Sequence, residues 1–163
     1  MATRGASQPA DVWRSLFRIG VGVYWLYFAA QKWPAPLGRS PGPGIGWMRS
    51  PIEEAARANP VPLLHDFLVS VVVPNWQLFA TGQAVGETLV GVLLILGLAT
   101  RPAALLATLL ALSLSLTVAF LVSDIGLRWL YYLSALASFE VFVNGAGALA
   151  VERARAVPRW LSS

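Results

Sequence analysis

Two acidic residues lie in the middle of long apolar runs of this chain. Glu87 falls within residues 76–99, and Glu140 falls within residues 129–151. A carboxylate at the centre of a bilayer costs at least about 2.5–3.5 kcal/mol, so each acid has to face protein, a partner or water. Carboxyl groups in such places bind ligands or carry protons. These two acids are therefore the leading candidates for a functional site.

Each acid has a polar neighbour one helical turn away. Gln83 precedes Glu87 by four residues and Asn144 follows Glu140 by four, so each pair shares one helix face. At 1.5 Å per residue, both acids lie about 16 Å from the start of their runs. We therefore predict that the acids face each other near the midplane and leave room for a flat ring between helices. That ring would be lined by four aromatic residues, Trp25, Phe28, Trp76 and Phe79.

The same acids also fit a purely structural role. A membrane carboxylate can hydrogen-bond a neighbouring helix, or it can pair with a cation such as Lys32 or Arg18. Such a contact would fix helix packing without binding any ligand. The residues alone leave both alternatives open for Glu87 and for Glu140.

Composition predicts that the acids lie in membrane helices. The chain is 56% hydrophobic and 12% charged, whereas soluble domains carry about 25% charged residues, and its mean hydropathy is +0.62. Four apolar runs are long enough to span a bilayer, at residues 12–33, 76–99, 102–123 and 129–151. We therefore predict an all-α fold, an integral membrane four-helix bundle, with residues 1–163 forming a single membrane domain.

The long connection at residues 34–75 is predicted to be a partly helical extracytoplasmic loop. Its first half is rich in Pro and Gly, which disfavour regular helix. Its second half favours a short helix from Pro51 to about Ala58 and another segment over residues 62–73. We expect Trp47 and the 63–67 segment to fold back over the outer end of the bundle, beside Lys32.

Basic residues set the predicted orientation. Seven lie on the side of the termini and five on the side of the long loop, so the positive-inside rule places both termini in the cytoplasm. We accordingly predict a multi-pass protein of the plasma membrane. The seven are Arg4, Arg14, Arg18, Arg101, Arg153, Arg155 and Arg159; the five are Lys32, Arg39, Arg49, Arg57 and Arg128. Because the net charge of +4 is divided between two sides, it does not indicate a nucleic-acid partner.

Composition also argues against several kinds of site. The chain has no cysteine, which excludes disulfides and thiolate ligands. Its single histidine, His65, has no acid cluster near it in the sequence, so we predict no metal or haem in this chain.

Three segments resemble a known family. They are RIGVGVYWLYFAAQKW (residues 18–33), GETLVGVLLILGLATRPAALLA (86–107) and NGAGALAVERA (144–154). Together they resemble the DoxX/DoxD family of small four-helix membrane proteins. The long first loop is similar to that of the DoxD branch, the membrane subunit of thiosulfate:quinone oxidoreductase. Asn144 stands where the DoxX form tends to carry an aspartate, which is a departure from the family pattern.

The resemblance implies a quinone-interacting subunit that passes electrons to the quinone pool. It implies a quinone as cofactor, with the lipid bilayer and either a protein subunit or a second copy as partners. Under this hypothesis Glu87 is the catalytic proton carrier. The binding residues are then Lys32, Trp76, Gln83, Glu140 and Asn144. The alternative function is a structural or assembly subunit that anchors a membrane redox complex without binding quinone.

The predicted orientation is testable by labelling single cysteines in intact cells with an impermeant thiol reagent. The variant Ser50→Cys should be labelled, because the loop lies outside. The variants Ser7→Cys and Ser162→Cys should be protected until the cells are permeabilised. Labelling of Ser7→Cys or Ser162→Cys, but not of Ser50→Cys, would reverse the orientation.

Overall fold

The computed structural model of the chain describes residues 9–34 and 44–151. This part of the protein consists of helices joined by short turns and contains no strand, as the all-α prediction requires. Its six α-helices are α1 (Pro9–Ala30), α2 (Arg49–Ala58), α3 (Pro62–Phe67), α4 (Trp76–Leu96), α5 (Thr100–Thr117) and α6 (Ile125–Asn144).

Within residues 9–34 and 44–151, two helices are long and apolar enough to cross a membrane. They are α4 and the continuous helix Thr100–Leu121, which comprises α5 and one 3-10 turn. They correspond to the predicted spans at residues 76–99 and 102–123. The helices α1 and α6 are 22 and 20 residues long, and spans at residues 12–33 and 129–151 stay predictions.

The end of α6 differs from the sequence prediction. The predicted run continued to residue 151, but the helix ends at Asn144. Gly145 and Gly147 then have φ angles of 75° and 72°, a left-handed conformation that stops a helix. At Gly147 an added Cβ would lie 2.4 Å from the Ser15 hydroxyl, so the turn after α6 packs directly on α1.

The four long helices pack in chain order, with α1 along α4, α4 against α5 and α5 against α6. Gly22 of α1 and Gly91 of α4 form a close contact between these two helices. An added Cβ at Gly91 would lie 2.6 Å from Leu26 Cγ and 3.0 Å from the Gly22 carbonyl oxygen. Small residues at helix contacts allow backbones to come this close. The close contact brings the C-terminal end of α1 beside the middle of α4.

Arg18 ties the opposite ends of these helices together. Its side chain is fully buried and donates hydrogen bonds to the backbone carbonyls of Leu94, Ile95, Ala146 and Leu149. The last carbonyls of a helix lack partners within the helix, and a guanidinium offers five donors to satisfy them. The end of α4 and the turn after α6 are thus fastened to α1 by one side chain.

The loop residues 44–75, which we call the cap segment, fold over the other end of the four long helices. The cap segment contains α2, α3 and a π-helical turn at Leu68–Val72. Asn59 fixes it in place, because its Nδ2 donates to the Leu116 carbonyl at 2.9 Å and its Oδ1 accepts from the Val61 amide at 3.0 Å. The predicted partly helical loop is confirmed for these residues; positions 35–43 lie outside the described residues.

Replacing Arg18 should destabilise the protein far more than replacing a neighbouring exposed arginine. We expect Arg18→Met to lower the free energy of unfolding by at least about 3 kcal/mol, because several buried carbonyls lose charged donors. Arg14→Met is the matched control. Arg14 makes only an exposed pair with Asp11 at 3.4 Å, so its loss should cost about 1 kcal/mol or less. Thermal unfolding in detergent measures both variants, and equal midpoints would contradict the fastening role of Arg18.

Candidate functional site

A cavity of about 740 Å³ lies beneath the cap segment, between it and the four long helices. Its volume lies within the range of small-molecule sites in proteins, roughly 300–1,000 Å³. Side chains from α1, α2, α4, α5 and α6 all contribute to its wall. A single pocket that gathers residues from so many elements is the natural place to look for a ligand.

Three polar side chains form one cluster in this wall. Lys32 Nζ lies 2.5 Å from Glu87 Oε2, and Gln83 Nε2 donates to Glu87 Oε1 at 2.8 Å. Lys32 also donates to the Phe28 carbonyl at 3.3 Å. Lys32 is 6% exposed and Glu87 is 1% exposed. Each carboxylate oxygen therefore has its own donor, as a buried acid requires.

The helix ends explain how this cluster is held. Lys32 follows the C-terminus of α1, where its backbone amide bonds the Ala29 carbonyl at 2.9 Å and its cation suits the helix dipole. The next residue, Trp33, donates from its indole to Thr88 Oγ1 at 2.9 Å. Thr88 follows Glu87 on α4. Lys32 and Trp33, two successive residues just after α1, are therefore bonded to two successive residues of α4.

Aromatic rings form the wall beside the cluster. Tyr24, Trp25 and Phe28 line the cavity from α1, and Tyr131 lines it from α6. The ring centroid of Tyr24 lies 5.7 Å from that of Trp25 and 4.8 Å from that of Phe28. The Trp25 indole donates to Ser138 Oγ at 3.2 Å. These contacts hold the rings in fixed positions and couple α1 to α6.

The cap segment closes the cavity with apolar side chains. Leu64, Phe67 and Leu68 line it, and the Phe67 ring packs edge-on against Phe79 of α4 at 6.4 Å. The expectation that the loop folds back over the helices beside Lys32 therefore agrees with the structure. One residue departs from it, because Leu63 points outward and is 84% exposed.

The structure brings together only part of the predicted site. Lys32, Gln83 and Glu87 form the cluster, and Trp25, Phe28 and Phe79 line the cavity as expected. Trp76 does not line it. Its ring instead lies 5.9 Å from the Arg49 guanidinium, because the start of α4 faces the beginning of α2.

The prediction that Glu87 and Glu140 face each other is corrected by the structure. Glu140 and Asn144 are both exposed and are bonded to each other, with Asn144 Nδ2 donating to Glu140 Oε1 at 2.8 Å. Neither residue lines the cavity. The buried face of α6 carries Ser134, Ser138 and Val141. Glu140 is two residues beyond Ser138, about 200° around the helix, and so points away from the core.

Two tyrosines of the site were not singled out by sequence reasoning. Tyr24 and Tyr131 both line the cavity. Tyr24 lies one turn before Phe28 and two turns before Lys32, so helical spacing from Lys32 points to it. Tyr131 lies within an apolar run, and its sequence context gives no signal that would place it at the site.

A match to a protein family covers most of the helices described above. The model of the family described as DoxX matches residues 14–122, about two thirds of the chain. The chain belongs to the DoxX family. The matched region contains Lys32, Gln83 and Glu87 but ends before α6, where Glu140 and Asn144 lie. DoxX membership and the two apolar helices together indicate a membrane protein. No curated protein and no solved structure matches this DoxX chain.

The buried ion pair predicts strong coupling between its two residues. We expect Lys32→Met alone to destabilise the protein by about 3–5 kcal/mol, because it leaves a buried carboxylate without its cation. The double variant Lys32→Met, Glu87→Met should recover much of that loss, because no buried charge is left.

A thermal-unfolding double-mutant cycle tests this coupling. The exposed pair of Arg49 and Glu53, at 2.9 Å, is the control, and its coupling should be below about 1 kcal/mol. Additive effects of the Lys32 and Glu87 substitutions would show that the two residues do not form an ion pair in solution.

Proposed function

We propose that this DoxX protein is a quinone-binding membrane subunit of an oxidoreductase, with the quinone ring held in the cavity beside Glu87. The observation that carries the proposal is the composition of the cavity wall. The cluster of Lys32, Glu87 and Gln83 is set into a wall that is otherwise largely apolar and aromatic. A few convergent polar groups in an apolar pocket are typical of small-molecule sites.

The residues of the wall fit the chemistry of a quinone. A quinone ring is flat and apolar, with two carbonyl oxygens that accept hydrogen bonds, and its full reduction takes up two electrons and two protons. Trp25, Phe28 and Tyr131 offer aromatic surface for the ring. Lys32 and Gln83 offer the ammonium and amide donors that the oxygens need.

Glu87 is the residue that can move a proton. In the proposed mechanism the Glu87 carboxylate would take up a proton from the aqueous side and pass it to a ring oxygen, once for each of the two protons that full reduction requires. The neighbouring Lys32 ammonium would stabilise the carboxylate between the transfers. Gln83 holds the other carboxylate oxygen and so fixes the orientation of the group. The electrons come from a partner subunit. A cavity shielded by the cap segment would protect these steps from bulk water.

The proposal also extends the membrane topology to four spans. The helices α1 and α6, with 22 and 20 residues, are similar in length to α4, with 21 residues, and pack beside α4 and α5. If α4 and α5 cross the bilayer, α1 and α6 lie at the same depth. With both termini in the cytoplasm, the cap segment and the cavity beneath it would lie at the outer surface of the plasma membrane.

A DoxD-type role, in thiosulfate:quinone oxidoreductase, is the most specific form of this proposal. It is supported by the long connection between α1 and α4, which builds one wall of the cavity. A structural or assembly subunit is the second candidate. The observation that favours it is the ion pair itself, because a contact that joins α1 to α4 can serve packing without any ligand.

The substitution Glu87→Gln separates the two candidates. Gln keeps the shape and a hydrogen-bonding oxygen but cannot release or deliver a proton at neutral pH. We expect the variant to assemble with reduced stability, because the buried Lys32 ammonium loses its counter-charge but keeps a hydrogen-bond acceptor. It should also lose quinone-linked electron transfer by about 10²-fold, the usual contribution of a general acid. Electron transfer is measured with purified membranes and a supplied quinone, and assembly is measured by size-exclusion chromatography.

Glu140→Gln is the matched control for this experiment. It also changes an acid within an apolar helix, but Glu140 is exposed and does not line the cavity, so activity should be retained. Full activity of an assembled Glu87→Gln protein would exclude the proton-carrier role. Loss of assembly in that variant would favour the structural subunit.

A further inference from the structure

A second and smaller cavity opens between α1 and α6. This side groove has a volume of about 300 Å³ and lies along the middle of both helices. Its lining is almost entirely apolar, with Phe17, Gly20 and Val21 on α1 and Leu133 and Ala137 on α6. The polar residues in its lining are Tyr24 and Ser134, and the Ser134 hydroxyl donates to the Tyr131 carbonyl at 2.7 Å. The side groove therefore offers a mainly apolar surface.

The side groove adjoins the main cavity. Tyr24 of α1 and Leu130 of α6 line both of them. These two side chains stand where the main cavity ends and the side groove begins. The two spaces therefore lie on either side of these two side chains, and a turn of Tyr24 or Leu130 would join the cavity beside Glu87 to the side groove between α1 and α6.

The contact between α1 and α6, which we call the seam, leaves the groove open. The helix α1 contacts α6 much less than it contacts α4. At Gly20 an added Cβ would have no heavy atom within 4 Å, so the groove is wide there. If the four long helices cross the bilayer, this open seam faces lipid at the middle of α1.

We propose that the isoprenoid tail of the quinone passes between Tyr24 and Leu130 and lies in the side groove, on its way to the lipid. This inference rests on the proposed function, because it concerns the tail of the same quinone whose ring lies beside Glu87. The side groove lies next to the ring site and is apolar, as a hydrocarbon tail requires. The two lining residues that it shares with the main cavity favour the tail of the bound quinone over an unrelated lipid chain. The substrate class is accordingly a long-tailed membrane quinone that enters from the bilayer.

The variant Gly20→Leu tests this path by filling the groove. The added side chain starts in open space, and Leu is a better helix former than Gly, so folding should be retained. Gly82→Leu on α4 is the matched control. An added Cβ there also meets no heavy atom within 4 Å, but Gly82 lines neither cavity.

Binding is measured in lipid nanodiscs by quenching of the tryptophan fluorescence, with two probes that share one ring. One is a benzoquinone with a decaprenyl tail, and the other is the same benzoquinone without a tail. We expect Gly20→Leu to weaken binding of the tailed quinone by about tenfold or more, and to change binding of the tailless ring less than twofold. Gly82→Leu should change neither, and Gly20→Ala should give an intermediate loss for the tailed quinone.

The outcomes separate this inference from the proposed function. If Gly20→Leu binds both quinones as the unaltered protein does, the tail leaves the cavity elsewhere and the inference is overturned. If that variant instead loses only a phospholipid that co-purifies with the unaltered protein, the groove is a lipid site, and the inference is equally overturned. If the unaltered protein binds neither quinone, the proposed function itself fails.

Discussion

The ion pair between Lys32 and Glu87 joins the end of α1 to the middle of α4, and the rest of the site is arranged around it. A charged group cannot be taken out of water alone, so each residue can occupy its place only because the other is there. The close contact of Gly22 and Gly91 makes the pair possible, because it brings the two backbones together. Arg18 then fixes the far end of the same two helices through backbone carbonyls.

The cavity depends on the cap segment, which covers the helix ends beside the ion pair of Lys32 and Glu87. At one end Arg18 joins α1 to the end of α4 and to the turn after α6, and at the other end the cap segment covers a space between the helices. Asn59 bonds the cap to the end of α5, and Phe67 packs on Phe79 of α4. The polar cluster is consequently part of a wall of a space, and it is not sealed within the apolar core that Val90 and Leu94 form below it.

The sequence predicts Glu87 for a physical reason, because an acid in an apolar run has to be paired, and four-residue spacing attaches Gln83 to it. The same reasoning misplaced Glu140. Spacing shows which residues share a helix face, but it does not show which face is turned inward. On α6 apolar residues surround the helix, so only the packing against α5 and the Trp25 bond to Ser138 decide the orientation. The cap segment was predictable as helical from its Pro and Glu positions, whereas its contacts with α4 and α5 depend on the three-dimensional fold.

Burying the charges of Lys32 and Glu87 costs free energy, which raises the question of why the chain contains this ion pair. Replacing a buried pair by apolar residues of similar volume is often neutral or stabilising, so stability alone is weak grounds for keeping Lys32 and Glu87. Arg18 satisfies buried backbone carbonyls at helix ends, and it needs no such explanation because buried carbonyls require donors. Lys32 and Glu87 instead hold a cation and a carboxylate in the wall of a cavity, where the proposed quinone would reach them. That position favours a chemical role, in which the pair is retained because a bound molecule uses its proton and its charge.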